Sequence, residues 1–478
     1  MDAASAPDCT EKAGWFSPQR LLLLLSSINM MIYIDRGVIS SNGVNGAVGT
    51  ADVAGSGIQG DFGLSLFQDG ILPAAFMVGL LICSPLFAEA SKHYNAFRLI
   101  AIGLGVWTLA TAGCGVAVGF WSLVVCRMAV GVGEASFVSL AAPFIDDNAP
   151  AGAKTRWLAT FYLCIPVGYA LGYIFGGLVA GPLGWRAAFL LEAAAMLPFL
   201  AFCTFAPALD LRGSDGAATD GALKVERGVR AALRGFGADL AAVLRHPVFA
   251  IAVAGTTLYT GVIGAYAYLG PKAGRDTFRI TGETADLTFG GVTVATGVAG
   301  TLLGGVLLDR MGASLKNALL ICAGGAAVGC VCVALGFGLA PSLWTFVPPF
   351  TIGELALFSI QAPSNALVLW SVPPRLRPFA MAMVVVINHL LGDVPSSPAI
   401  GGLQDAVQNW RLSMCVCTLL LLPSAACFLG GRAACALQPD YHVDALAAAA
   451  QEASLDGVEE RWAEDPTQQL LPDGEGHA

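Results

Sequence analysis

Apolar residues in this chain come in long unbroken runs, not in the three-and-four spacing of a helix lying half in water. Runs of about 20 residues, enough for a helix to cross a hydrocarbon layer, occupy 20–42, 67–89, 97–119, 121–146, 156–180, 186–207, 247–271, 284–308, 316–340, 343–371, 377–403 and 410–436. They predict an all-α membrane protein of twelve transmembrane helices. A polar stretch at 208–245, with Gly, Ser, Asp and scattered Arg, is the one long interruption. It divides the chain into a six-helix half at 20–207 and a second at 246–436. Outside them lie an N-terminal tail, 1–19, and an acidic tail, 437–478.

Composition strengthens this reading. Hydrophobic residues make up 56% and charged residues 12%, against about 25% charge in a soluble domain. Mean hydropathy is +0.68. The 58 glycines suit close helix packing in lipid. The net charge of −9 comes largely from the C-terminal tail and gives no reason to expect a nucleic-acid partner. The 13 cysteines sit mostly within apolar runs and form no C-x-x-C pair. Cys330/Cys332 and Cys415/Cys417 alternate with hydrophobes, as buried small residues and not metal ligands. Leu21–Leu25 follows a short, weakly charged start, as in a signal peptide. The run continues through Asn29, Asp35 and Arg36 without a small-residue cleavage pattern, so a retained first helix is expected.

Basic residues set the orientation. The linker alone holds Arg212, Lys224, Arg227, Arg230, Arg234 and Arg245, and the other segments on its side of the membrane add more. The opposite side holds only Arg186, Lys272, Arg275, Arg279 and Arg411. Both termini are therefore expected in the cytoplasm. The first connection on the outer side, Gly43 to Asp61, is rich in Gly, Ser, Asn and Val and predicts a flexible loop. The tail from Gln438, with Pro439, Pro466 and Pro472, predicts disordered or loosely helical chain. Its Leu470-Leu471 resembles an acidic dileucine signal, with Asp465 one position too far upstream.

The candidate chemistry centres on the fourth run, where Cys126-Arg127-Met128-Ala129-Val130-Gly131-Val132-Gly133-Glu134 carries an arginine and a glutamate two helical turns apart. Both share one face, roughly 10 Å apart along the axis. That is too far for a direct pair, so each needs a partner elsewhere. Gly131 and Gly133 thin the helix where another backbone or a ligand approaches. Each ionisable group at membrane depth costs about 2.5–3.5 kcal/mol on insertion scales, which argues for a role in binding or gating; a structural ion pair locking helices is the alternative. The first run carries Tyr33-Ile34-Asp35-Arg36, whose acid and base point about 100° apart. A carboxyl keeps its proton when desolvated and sheds it beside a cation, so Asp35 is a candidate proton carrier. A fixed salt bridge to Arg127 or Arg36 is the other reading.

In the eleventh run His389 and Asp393 share a face, so Asp393 would orient the imidazole, as a proton relay, a headgroup contact or a satisfied internal pair. The tenth carries Gly353-Glu354. The His-x3-Asp spacing is one residue short of the acyltransferase motif. H-E-x-x-H, G-x-S-x-G and Walker sequences are absent, so neither an enzyme, an ATP-driven pump nor a bound cofactor is expected. Phe137, Phe161, Tyr162, Phe358, Met381 and Met383 are candidates for an adaptable tail slot, or plain packing. In the fifth run Pro166, Gly168, Gly172 and Gly176 form a smooth strip for close packing and rocking between halves. Trp185-Arg186 is expected as an interface anchor.

Two six-helix halves joined by a polar linker outline the major facilitator architecture, with a cavity between halves. Gly305-Val306-Leu307-Leu308-Asp309-Arg310-Met311-Gly312 matches its loop motif, in which Asp309 and Arg310 would latch one conformational state. The equivalent after the second run is degraded, with Lys92 in place of the acid. Tyr33-x-Asp35-Arg36, Arg127-x6-Glu134-Ala135-Ser136, Pro166-x-Gly168-x3-Gly172-Tyr173, Gly353-Glu354 and His389-Leu390-Leu391-Gly392-Asp393 together resemble the Spinster family of lipid transporters. The resemblance implies proton-linked or facilitative movement of a lysophospholipid, sphingosine or sphingosine-1-phosphate. It implies proton coupling at Asp35 and Glu134, and headgroup or gating roles for Arg127, Glu134, Arg36, His389, Asp393 and Glu354. The expected partners are the lipid, protons and the bilayer, with the chain acting as a monomer. Plasma membrane and late endosomal or lysosomal membrane both stay open. A major facilitator transporter of a small organic anion is the alternative function.

Overall fold

The computed structural model describes residues 17–49, 51, 54–91, 94–148, 154–205, 240–373, 376–436 and 441. Most of the linker, the acidic tail with Leu470-Leu471, and Lys92 lie outside the described residues. Twelve helices are long and apolar enough to cross a membrane. They are α1 Pro18–Ser40, α2 Leu66–Ala90, α3 Ala96–Gly115, α4 Phe120–Asn148, α5 Lys154–Leu183 and α6 Trp185–Phe205 in the first half. The second half holds α7 Pro247–Phe278, α8 Gly282–Met311, α9 Leu315–Leu339, α10 Leu343–Trp370, α11 Arg377–Val407 and α12 Trp410–Ala434. Among the described residues there is no strand, only an isolated bridge between Ala47 and Ser56.

Polar residues just before several of the runs start the helices. Ser17 accepts from the Arg20 amide ahead of Pro18, Ser65 and Gln68 form a reciprocal capping box, and Thr281, Ser314 and Asn409 cap α8, α9 and α12. Each satisfies amides that a helix start leaves unpaired. Leucines such as Leu109, Leu178 and Leu302 are exposed, as suits helices whose solvent is lipid.

Three spans depart from single straight helices. α10 breaks between Phe358 and Gln361, and α12 between Leu419 and Leu421. α11 holds a π-helical turn, Asn388–Asp393, between its two α-helical parts. α7 continues to Phe278, about two turns past the expected end, so Lys272 and Arg275 belong to the helix and not to a loop.

Within the first half the helices pack backbone to backbone. A Cβ at Gly131 would collide with the Phe76 carbonyl of α2, and one at Gly133 with the Trp107 amide of α3. The thinned face of α4 therefore receives neighbouring backbones, not a ligand. The strip Gly168, Gly172 and Gly176 meets Tyr33 and Ile34 of α1 and Ser41, which caps it. This corrects the expectation of a rocking surface between halves: the strip binds two helices of one half. α5 instead meets the other half where Pro166 packs on Gly297 and Ala170 on Gly290 of α8, and α2 packs on the second part of α11.

Where it is described, the connection from Gly43 to Asp61 is structured and not the expected flexible loop. It contains short helices at Asn42–Asn45 and Gly57–Phe62. Gly46 and Gly57 take positive φ of 74° and 64°, open to glycine at little cost, and the chain folds back so that Ala47 and Ser56 exchange backbone hydrogen bonds of 3.0 and 2.9 Å. Asp61 accepts from Trp185 Nε1 at 2.9 Å and Arg186 at 2.5 Å, and these two donors hold its carboxyl below the usual range. Trp185 is buried in that clamp, a correction to the interface-anchor expectation.

Gly131→Ala forces the α2 backbone away from α4. It should destabilise the folded protein by about 1–3 kcal/mol, as overpacking does, read as a lower midpoint in thermal unfolding in detergent.

Candidate functional site

Asp35 and Arg36 project from adjacent positions of α1 in directions about 100° apart, and each finds an opposite charge on α4. Arg127 Nη1 donates to both Asp35 oxygens at 2.9 Å, and Arg36 donates to Glu134. Neighbours in α1 thus pair with residues two turns apart in α4, and the two salt bridges cross-brace the helices. Asp35, Arg127 and Glu134 are buried; Arg36 is partly exposed. Phe76 of α2 lies between the guanidiniums, its ring centre 4.6 Å from that of Arg36 and 5.5 Å from that of Arg127. Tyr33 stacks beneath Arg36 at 4.8 Å. Such cation–π contacts retain some favourable field for a cation taken from water.

Both arginines line a cavity of about 50 Å³ between the halves, together with Met77 of α2, Tyr169 of α5, Tyr268 of α7 and Asp393 of α11. Asp393 accepts from or donates to His389 Nδ1 at 2.5 Å, according to the tautomer, within the π-helical turn. Glycines of α7 make room for that turn: Gly264 faces the Asp393 carboxylate and Gly261 faces Gly392. Thr256 and Thr257 donate to the Asn388 side chain at 3.2 and 2.9 Å. π turns of this kind gather at functional positions.

Six of the expected site residues therefore converge: Asp35, Arg36, Arg127 and Glu134 on one side, and His389 and Asp393 on the other. Glu354 stands apart, accepting from Thr296 at 3.0 Å and more weakly from Thr293, both on α8. Asp309 and Arg310 are exposed at the end of α8, and among the described residues no side-chain partner joins either one, so no latch is closed there. The expected tail slot does not assemble. Phe137 and Phe161 are buried core with ring centres 6.0 Å apart, Tyr162 is half exposed, Phe358 packs on Gly297 and Gly300, and Met381 belongs to a separate cluster with Phe249.

A second polar network seals the end of the bundle away from the linker. Asn42 donates its amide and side chain to Asp286 of α8 at 2.8–3.0 Å. Asn45 and Tyr268 both donate to Asp69 at 2.8 Å. Lys272 is buried and donates to the Gly46 carbonyl at 2.9 Å and to Gln59. Asp405 of α11 accepts from the Leu66 and Phe67 amides at 3.0 and 2.9 Å. Among the described residues every hydrogen bond between the halves lies toward this end, the deepest from Tyr173 to the Ala267 carbonyl at 2.6 Å. Among the described residues the halves are joined at one end and free of such bonds at the other.

Sequence reasoning misses Asp69, Lys272, Asp286, Asp405 and Glu192. All but Glu192 lie within one turn of a run's edge, where a charge gives a weaker signal than Arg127 deep inside one.

The Major Facilitator Superfamily model matches residues 25–397. The "Probable sphingolipid transporter spinster homolog 2" of Arabidopsis thaliana is 48% identical over 437 residues, covering 89% of each chain. The chain belongs to the spinster family of the Major Facilitator Superfamily. Family members are transporters, not enzymes. The similarity extends to "Protein spinster homolog 3" of Danio rerio, 29% identical over 81% of this chain and 77% of that one. Among solved structures, a bacterial homolog of the human lysosomal transporter Spinster superposes with a TM-score of 0.71 at 19% identity, over 87% of this chain and 97% of that one, a likeness of fold.

Arg127→Met leaves Asp35 buried without its partner and should cost about 3–5 kcal/mol in thermal or denaturant unfolding. The double change with Asp35→Asn should recover part of that loss. Asp286→Ala removes a charged acceptor worth about 1.5–3 kcal/mol and should speed hydrogen exchange of the Asn42 amide at least about ten-fold, with amides deep in α4 unaffected.

Proposed function

We propose that this spinster-family chain moves a single-chain lipid, a sphingolipid or a lysophospholipid, across a membrane by alternating access, with proton exchange linked to the movement. The carrying observation is the crossed pair Asp35–Arg127 and Arg36–Glu134 beside a cavity sealed at one end. An anionic headgroup entering the cavity meets two guanidiniums, each able to grip a phosphate through a planar fork. To bind there it competes with Asp35 or Glu134 for its arginine. A carboxylate so released is desolvated and takes up a proton, so headgroup and proton arrive together. Asp393, bonded to His389, lines the same space from the other half and suits a cationic amine. The names of the Arabidopsis relatives, sphingolipid transporters, favour this substrate class over a small organic anion.

Both termini and the linker lie on the cytoplasmic side in this reading, following the basic residues, which makes the sealed end the outer one and the described state open inward. Asp309 and Arg310 then form their latch when the linker end closes. The chain acts as a monomer, in the plasma membrane or a late endosomal or lysosomal membrane.

Purified protein in liposomes should take up a labelled sphingoid base or lysophospholipid, faster under an imposed pH gradient, and Asp35→Asn should abolish the response to the gradient. If neither lipid class moves under any gradient, or a water-soluble organic anion is carried instead, the lipid assignment is wrong.

A further inference from the structure

The cross-braced pairs leave one acid out. Glu192 of α6 is 1% exposed, and neither of its carboxylate oxygens has a hydrogen-bond partner. It lies within electrostatic range of Asp35 and Arg127. α1, α3, α5 and the short helix Asn42–Asn45 pack on α6. α1 presents Asp35, and Arg127 of α4 lies within electrostatic range. α3 brings Cys114, which shares the same two charged neighbours. Among the described residues, α5 and the short helix Asn42–Asn45 place no charged group against it.

The charges of this buried region do not balance if every acid is ionised. Arg127 neutralises Asp35 and Arg36 neutralises Glu134, so an ionised Glu192 would be a surplus anion, deprived of water and of every donor. A buried carboxyl in that position neutralises itself by binding a proton. The adjoining Arg127 Nε is also buried and unpartnered, as is the Thr111 hydroxyl of α3. Arg127 therefore has one edge committed to Asp35 and another donor unused.

From this geometry we infer that Glu192 is a proton-binding site of the transporter, sharing one proton and one arginine with Asp35. One guanidinium, two carboxyls and one proton have two arrangements of equal net charge. In the first, the one described, Asp35 is ionised on Arg127 and Glu192 carries the proton. In the second, Glu192 gives up its proton and takes Arg127, while Asp35 binds a proton and leaves. Moving from one to the other releases a proton at α6 and binds one at α1, so the buried region stays neutral throughout. A headgroup that draws Arg127 toward the cavity favours neither carboxylate, and both then hold protons. One proton therefore enters with each headgroup from either arrangement, and Glu192 offers Arg127 a second carboxylate to leave, a role that rests on the proton-linked reading above.

The test uses the full-length protein, purified in detergent, with pH-difference infrared spectroscopy of the carbonyl stretch of protonated carboxylic acids. Wild type should show such a band at neutral pH. Glu192→Gln should lose it, Glu192→Asp should retain it at a shifted frequency, and Asp35→Asn, which frees Arg127 for an ionised Glu192, should weaken it. A wild type without the band, or a band unchanged in Glu192→Gln, overturns the assignment. If the band follows Glu192 as described while wild type moves no lipid, the proton site stands and the lipid-transport reading falls.

Discussion

Two arginines inside a lipid-facing bundle, one buried and one partly so, are held by two carboxylates, and the first half of the molecule is arranged around meeting that requirement. Taking a charge out of water costs several kcal/mol unless a partner and further contacts replace the lost hydration. α1 supplies both carboxylate and guanidinium from neighbouring positions, α4 supplies their opposites, and α2 inserts Phe76 between the cations. Removing any one member strands a charge, so the pairs constrain the relative rotation of α1 and α4 more tightly than apolar contact does. Gly131 and Gly133 complete the arrangement by letting α2 and α3 approach close enough for the aromatic ring to reach.

The same constraint explains why the halves are joined differently from the helices within a half. Inside the first half, glycine faces bring backbones into contact over whole helices. Between the halves, the hydrogen bonds gather at one end and rest on Asn42, Asn45, Asp69, Lys272, Asp286 and Asp405. Polar bonds of this kind can be exchanged for water as an end opens, whereas interlocked backbones cannot separate without exposing both. A unit that holds its shape while its attachment at one end is traded for another is what alternation between two openings requires.

Much of this was legible in the chain. The twelve runs, the two halves and the need of Arg127 and Glu134 for partners on other helices all follow from apolar length and from the expense of isolated charge. What the sequence left open was which partner each would take, because α1 offers Asp35 and Arg36 on different faces and only the packing of α1 against α4 decides between them. The glycines were ambiguous for a related reason: a missing Cβ makes room without saying for what. Gly43 to Asp61 read as flexible because its composition is that of a turn, while its order comes from Lys272 and Asp286 in the other half, far away in the chain. Lys272 itself looked like a loop charge because nothing local shows that α7 continues past Pro271 with its amine satisfied.

The π turn at Asn388–Asp393 has a bearing on how α11 can be compared along its length. An extra residue in one turn rotates everything beyond it by about 100° relative to a continuous α-helix. The part at Arg377–Ile387 and the part at Val394–Val407 therefore do not share a single helical phase. A chain one residue shorter here, running as plain α-helix, would carry the same side chains and yet present a different side of its first part to α7. The identity of the surface that α11 offers is thus encoded by the count of residues in this turn as much as by their kinds.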